Sequence, residues 1–322
     1  MAKLSAKYEV LYIIDPAQGE EGIAALVEKF KGIVEAHGTL TSVDEWGKRR
    51  LAYPINDLIE GYYGALAEVD GFVTQALAHS GQLICLYPAG QGDAMPVIEK
   101  LHDTARAHRL RLSLRGVTDE TREVLERSAP GRFTFTEYRD SFDYIYTVEE
   151  LCELHGKKLQ AKRNHINRFL QEHDDWHTER VTPENLPLCG KMARLWYAQH
   201  PAGREIDNEK IALRRAMEHF EALSLDGLLL FIGDTVAAFS IGGRMHEQYY
   251  DVMFEKAFPD IDGAYPLINR EFSRMVADKY PAVRWLNRED DMGEEGLRRA
   301  KESYQPTLLL RKYIAEWQED GV

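Results

Sequence analysis

Cysteine is scarce in this chain: Cys85, Cys152 and Cys189 are widely separated, odd in number and without C-x-x-C spacing. That excludes a disulfide scaffold, and reduced, buried thiols are expected instead. Long apolar runs are also missing. A run such as Leu228–Ile232 falls far short of the roughly 18 residues needed to span a bilayer, so no transmembrane segment is expected. Met1–Lys7 leads into a strand pattern, not an apolar leader core, and the expected localisation is cytoplasmic. Positive charge is in deficit, with 40 Lys and Arg against 53 Asp and Glu, a net charge of −13. That balance disfavours non-specific attraction to nucleic acid or anionic membranes, so any RNA contact needs a local basic patch. Internal repeats and low-complexity linkers are absent. What is present is 44% apolar and 10% aromatic residues over 322 positions, a composition of two or three folded domains.

Periodicity predicts an α+β chain. Residues 8–14 read as a strand, 20–37 as a helix closed by Gly38, and 39–46 and 51–66 as two further strands. This β-α-β-β order is the first part of a ferredoxin-like domain, and no second amphipathic helix follows to complete it. Short strands and helices then alternate to residue 146. Thr147-Val-Glu-Glu150 is a capping box that opens a helical region running to Gln171, with a break at Gly156. Thr182-Pro183 predicts a helix over 183–199, and an antiparallel trio of strands is expected within 227–255. Helices follow over 264–278 and 294–302, and the last strand over 308–311.

Trp46-Gly-Lys48-Arg49-Arg50-Leu-Ala-Tyr53-Pro54-Ile55, with Tyr8–Pro16 before it and Glu60-Gly-Tyr-Tyr63 after it, resembles the family of the sixth bacterial small-subunit ribosomal protein. The resemblance is truncated, because the family's closing helix and strand do not follow. It implies contact with small-subunit rRNA and a small ribosomal partner protein, with Lys48, Arg49 and Arg50 as phosphate-directed charges. Residues 1–67 carry seven Lys and Arg against ten Asp and Glu, so the segment as a whole is not basic. A solvated turn is the alternative reading of the triplet.

Gly156-Lys157-Lys158 through Lys162-Arg163-Asn164-His165 to Asn167-Arg168-Phe169 is the densest basic stretch, with six cationic or titratable side chains in twelve residues. At about 100° per residue, Lys157, Lys158, His165 and Arg168 fall on one stripe with Lys162 at its edge. Leu159, Ile166, Phe169 and Leu170 gather opposite. Lys158, Lys162, Arg163, His165 and Arg168 are therefore candidate ligands for an anionic donor, with a solvated helix face as the alternative. The run also resembles a signature of the family named after the C-terminal half of phosphatidylglycerol lysyltransferase, an acetyltransferase-like domain.

Phe254-Glu255-Lys256, Gly263 through Asn269-Arg270-Glu271-Phe272, Asn287 through Gly293 and Gly296 through Pro306 carry that same resemblance, which extends over residues 67–316. It implies tandem acetyltransferase-like domains, an incomplete one over 67–146 and a second over 147–322, after a ribosomal-like segment over 1–66. An acetyl-CoA site is expected to open its helix with a Gly-rich turn, and here Gly263 stands alone. The resemblance implies an aminoacyl-tRNA donor instead. Attack on an activated ester needs a proton acceptor and a cation at the developing oxyanion. Glu289, Asp290 or Asp291 are candidates for the first, and Arg298 or Lys301 for the second; an ion-paired strand end is the alternative. His173 and His177 lack a third ligand, and neither a metal nor a cofactor is expected. The readings that remain open are an aminoacyltransferase-like enzyme, a ribosomal RNA-binding protein with an added domain, and a non-catalytic fusion remnant.

Overall fold

The computed structural model describes residues 12–14, 25–29, 31, 47–55, 58–64, 68–69, 72–79, 81–199 and 204–318. Contacts divide the chain into two units, Met1–Tyr138 with Arg311–Val322, and Arg139–Leu310.

In the first unit, β1 (Tyr12–Ile14), β2 (Gly47–Ile55) and β3 (Leu58–Gly64) form an antiparallel sheet in the order β1-β3-β2. Lys48, Arg49 and Arg50 lie within β2 opposite Tyr62, Gly61 and Glu60, so the basic triplet sits on a strand and not at a turn. The predicted strand over 39–46 lies outside the described residues. A second small sheet joins β4 (Glu68–Val69), β5 (Phe72–Val73) and β8 (Ala89–Gly90). The larger sheet runs β10-β18-β9-β7-β6. Its members are β6 (Ala76–His79), β7 (Gln82–Leu86), β9 (Arg111–Thr118), β10 (Phe133–Glu137) and β18 (Lys312–Trp317). Strands β7 and β9 are parallel, and α1 (Met95–Ala107) links them, burying Val97 and Ile98 over the sheet. Asp93 accepts from the Met95 N–H at 3.0 Å, satisfying one free donor of that helix start. Thr118 and Thr121 form the capping box of α2 (Asp119–Ser128). Strand β18 pairs with both β9 and β10, so the end of the chain completes this sheet.

The second unit is a seven-stranded sheet in the order β12-β13-β14-β15-β16-β11-β17. Its strands are β11 (Asp143–Thr147), β12 (Trp176–Arg180), β13 (Leu225–Ile232), β14 (Thr235–Arg244), β15 (Tyr249–Ala257), β16 (Trp285–Asn287) and β17 (Leu308–Leu310). Both faces of β13 and β14 are buried, which is why they read as unbroken apolar runs. One face is covered by α3 (Val148–Glu153), α4 (Gln160–Glu172) and α7 (Ala264–Lys279), around a core that includes Tyr146, Phe169, Tyr250 and Phe272. The other is covered by α5 (Leu186–Ala198) and α6 (Arg204–Glu218), with Cys189, Leu229 and Phe239 between. The Thr147–Glu150 capping box opens α3 as expected, and a last helix, α8 (Glu295–Glu302), precedes β17. Helix α5 starts three residues later than Pro183 suggests. Asn185 accepts from the Thr182 N–H at 2.7 Å and holds residues 182–185 as a turn ahead of the helix. Among the described residues no helix is long and apolar enough to cross a membrane.

Candidate functional site

Strands β15 and β16 run parallel through the pairs Tyr249–Trp285, Tyr250–Leu286 and Asp251–Asn287, joined by the crossover helix α7. Beyond Asp251, β15 continues beside β14 as far as Ala257, whereas the chain after Asn287 leaves the sheet. A parallel ladder that stops part-way leaves an opening at the carboxyl ends of its strands, the place where α/β sheets hold ligands. Glu255 and Arg288 meet in that opening, Arg288 Nη2 donating to Glu255 Oε1 at 2.8 Å. Their side chains are only 12% and 10% exposed, and charges that buried persist only when paired. Burial works against the Arg288 charge, and Glu255 more than restores it. The other carboxylate oxygen, Glu255 Oε2, accepts from Asn269 Nδ2 on α7 at 2.9 Å.

Two further elements pack around the pair. Tyr304, just after α8, lies under both cations, its ring centroid 4.7 Å from Arg288 Cζ and 4.1 Å from Lys162 Nζ. Tyr146 on β11 meets Tyr304 edge to face at 6.4 Å. Burial, together with the Arg288 charge, pushes the Lys162 ammonium down to about 8 against the pull of Glu255. Lys162 therefore gives up its proton far more readily than an exposed lysine. Tyr304 also lines an open cleft of about 480 Å³, whose other walls include Gly156, Lys157, Lys158 and Thr307. Lys157 and Lys158 are both exposed there.

The loop that presents Arg288 is held from behind. Lys301 Nζ donates to the carbonyls of Arg288 at 2.5 Å, Glu289 at 3.2 Å and Asp290. Asp291 is fully buried and accepts from Tyr144 Oη at 2.6 Å, Arg298 Nε at 2.9 Å, Arg139 Nη1 at 3.0 Å and the Gly293 N–H at 3.0 Å. Burial opposes its charge, yet the Arg298, Tyr144 and Gly293 donors hold the carboxyl well below the usual carboxylate range. Arg298 also donates to Asp140 at 2.8 Å.

The structure separates the predicted donor stripe into parts. Lys158 lines the cleft and Lys162 stands over the Tyr304 ring, 4.1 Å from its centroid. Arg163 turns back to the carbonyls of Leu154 and Gly156, fixing the break that the sequence places at Gly156. His165 and Arg168 both engage Asp262, at 2.6 and 2.5 Å. Among the predicted catalytic residues, Asp291 and Arg298 are committed to one another, and Lys301 to three carbonyls. Glu289 and Asp290 contribute main-chain carbonyls to that clamp. Lys48, Arg49 and Arg50 belong to the other unit.

A parallel pair of strands splayed around a crossover helix, beside an antiparallel trio, is the arrangement of an acetyltransferase-like sheet. The family profile "Phosphatidylglycerol lysyltransferase, C-terminal" matches residues 60–316. The chain belongs to this family. Residues 7–71 match the profile of ribosomal protein S6. There the chain is similar to the small ribosomal subunit protein bS6 of Clostridium botulinum (strain Langeland), 57% identical over 58 residues. That stretch is 18% of this chain and spans 62% of the relative. A solved protein of unknown function from Bacteroides thetaiotaomicron is 38% identical with a TM-score of 0.71, covering 78% of this chain and 85% of that one. L-PGS from Bacillus licheniformis shares the fold at 14% identity and a TM-score of 0.54, covering 92% and 93% of the two chains.

Within this lysyltransferase-type domain, sequence reasoning passed over Glu255, Asn269, Arg288 and Tyr304, although each lies in a motif that carries the resemblance. A signal was available for Glu255. It is a charged residue in a strand whose neighbours Tyr250, Val252, Phe254 and Ala257 are buried, and such a charge requires a partner.

Proposed function

We propose that this chain is an aminoacyltransferase that moves an aminoacyl group from the ester end of a charged tRNA to a hydroxyl or amine. The observation that carries the reading is the buried Arg288–Glu255 pair with Lys162 beside it, in the opening between β15 and β16. Membership of the family supports it. In this reading Lys157 and Lys158 meet the donor's phosphates in the outer cleft, and Tyr304 separates that cleft from the reacting group. The acceptor's oxygen or nitrogen attacks the ester carbonyl carbon while its proton passes to the Lys162 amine. Arg288 takes the charge that develops on the carbonyl oxygen. The carbon–oxygen bond to the ribose then breaks, and the departing ribose oxygen takes the proton back from Lys162. Arg298, Asp291 and Lys301 serve as the frame of the Arg288 loop, a positioning role, in place of direct contact with the ester. Label passing from charged tRNA to a small hydroxyl or amine acceptor, at low salt, tests the proposal. A folded chain that leaves every charged tRNA intact beyond background hydrolysis contradicts it.

We infer a second role for residues 1–66, read as a partial ferredoxin-like segment that docks on small-subunit rRNA with a small ribosomal partner. The 57% identity over 58 residues favours it. Lys48, Arg49 and Arg50 supply the phosphate contacts in this reading, and both roles place the chain in the cytoplasm. Replacing all three with Ala is expected to abolish co-sedimentation with small subunits at moderate salt. Undiminished co-sedimentation of that variant would exclude the triplet as the contact.

A further inference from the structure

We propose that the free edge of β12 is a self-pairing surface, to which a second copy of this chain adds its own β12, antiparallel, about a twofold axis at Thr178. Strand β12 ends the seven-stranded sheet at the side away from β17, and among the described residues only β13 pairs with it. Its five residues hold one register with β13, from Trp176–Ile232 to Arg180–Leu228, with no bulge and no proline to blunt the edge. The main-chain bonds fix which groups face outward. Val181 N–H donates to the Gly227 carbonyl at 2.8 Å, and Gly233 N–H donates to the Asp175 carbonyl at 3.3 Å. Bonded and unbonded pairs alternate along an antiparallel ladder, so the odd-numbered residues of β12 bond to β13. Trp176, Thr178 and Arg180 therefore point their N–H and C=O groups outward. The Arg180 carbonyl agrees, since it accepts from Asn185 Nδ2 at 3.0 Å and not from β13. That bond uses one of its two lone pairs and leaves the other.

Side-chain chemistry along the edge selects the occupant. A second β12 can bond here only through its own outward residues, so even-numbered residues face even-numbered ones. Centred on Thr178, the twofold sets Thr178 against Thr178, Trp176 against Arg180 and His177 against Glu179. Thr178 then exchanges two N–H···O bonds with its counterpart, and each Arg180 N–H meets a Trp176 carbonyl. Arg180 is exposed and comes over the indole of Trp176, which is half-buried against the core on the α4 side. His177, stacked on the Phe231 ring at 4.9 Å, and Glu179 lie on the other face, in an unbonded pair where side chains approach most closely. Within one chain His177 Nε2 and Glu179 Oε1 are already 3.6 Å apart, so the twofold gathers two histidines and two carboxylates into an alternating square. Neighbouring registers lose this match. Moving the axis to Glu179 sets Glu179 against itself, and moving it to His177 sets Glu179 against Asp175. The complement of this edge is its own sequence read backwards, which points to a second copy and not to a different protein.

Sedimentation velocity of the full chain over about 1–100 µM, the range in which small interfaces assemble, reads the oligomeric state. The wild type is expected to pass from monomer to dimer across it. Thr178→Pro is expected to stay monomeric with its Tm little changed, because it deletes an outward N–H and leaves the β13 ladder whole. Glu179→Lys is expected to weaken the dimer about tenfold, each change counting twice across the axis, and adding His177→Glu is expected to restore it. All three cysteines are buried, so an introduced thiol reports on its own position. Under mild oxidation Thr178→Cys is expected to give a disulfide-linked dimer, whereas Glu247→Cys, exposed on a different turn, is not. A wild type that stays monomeric throughout overturns the proposal. So does a dimer that Thr178→Pro leaves intact, a double variant that pairs no better than Glu179→Lys, or a Glu247→Cys chain that cross-links as readily as Thr178→Cys.

Discussion

Arg288→Ala is expected to lower the unfolding free energy of the unit spanning Arg139–Leu310 by about 3–5 kcal/mol, the penalty for stranding a buried charge. Removing the guanidinium leaves Glu255, 10% exposed, with Asn269 at 2.9 Å as its principal remaining donor. It also takes away one of the two cations over Tyr304, whose ring lies 4.7 Å from Arg288 Cζ. The loss belongs to the unpaired carboxylate, not to the intrinsic worth of the pair, and a second substitution exposes this. Combining Glu255→Leu with Arg288→Met is expected to recover at least half of the stability lost in Arg288→Ala, because an apolar replacement of both partners removes the stranded charge. Urea denaturation of the single and double variants measures both quantities. A single-variant loss below about 1 kcal/mol would mean that water reaches the pair.

Gly263→Ala is expected to cost about 2–4 kcal/mol and to impair the site from a distance. Gly263 opens α7 in the left-handed region at φ +85°, where a side chain is strained. A Cβ built there would stand 2.4 Å from the His165 carbonyl oxygen and 2.8 Å from Phe169 Cβ, both on α4. The first of these is main chain, so α4 itself must move away. Helix α4 carries Lys162, and displacing it by about 1 Å is enough to slow a positioned reaction on the order of a hundredfold. The same shift breaks the contacts of His165 and Arg168 with Asp262. A thermal melt should show a fall on the order of 10 °C. A variant as stable as the parent would mean that the α4–α7 contact is looser than the structure has it.

Gly263 was conspicuous in the sequence as the lone glycine before a helix, but its reason was not legible there. The constraint comes from a second helix nearly a hundred residues earlier in the chain. The same holds for much of the site. The basic stripe over 157–168 and its apolar back were readable from 3.6-residue periodicity, and Leu159, Ile166 and Phe169 are buried. Which of its cations stay available was not readable, since Asp262 and the carbonyls of Leu154 and Gly156 decide that from afar. The Glu289–Lys301 block was legible as a charged cluster. Its arrangement as a frame around the Arg288 loop depends on Arg139, Asp140 and Tyr144, which arrive from another strand and turn. Among the strands that escaped the sequence are β12 and β18. Strand β12 is an edge with little apolar alternation, and β18 buries only Tyr313 and Ala315 in a six-residue run. Because β18 pairs with β9 and β10, the last residues fall in the first unit, a long-range pairing that no local pattern announces.

The measurement that bears most directly on the central claim is single-turnover aminoacyl transfer from charged tRNA, followed from about pH 6.5 to 9, by the wild type and by Lys162→Met. Lys162 is pushed down to about 8, and its unprotonated form is the one that can accept the acceptor's proton. The wild-type rate should therefore rise as pH climbs through about 8 and level off above it. Lys301 is likewise pushed down to about 8 by burial and the Arg288 charge, which is why the variant is needed to assign the rise. Lys162→Met should be slower on the order of a hundredfold, with the rise gone. A folded wild type that transfers nothing, or a Lys162→Met chain that keeps both rate and profile, would contradict the account.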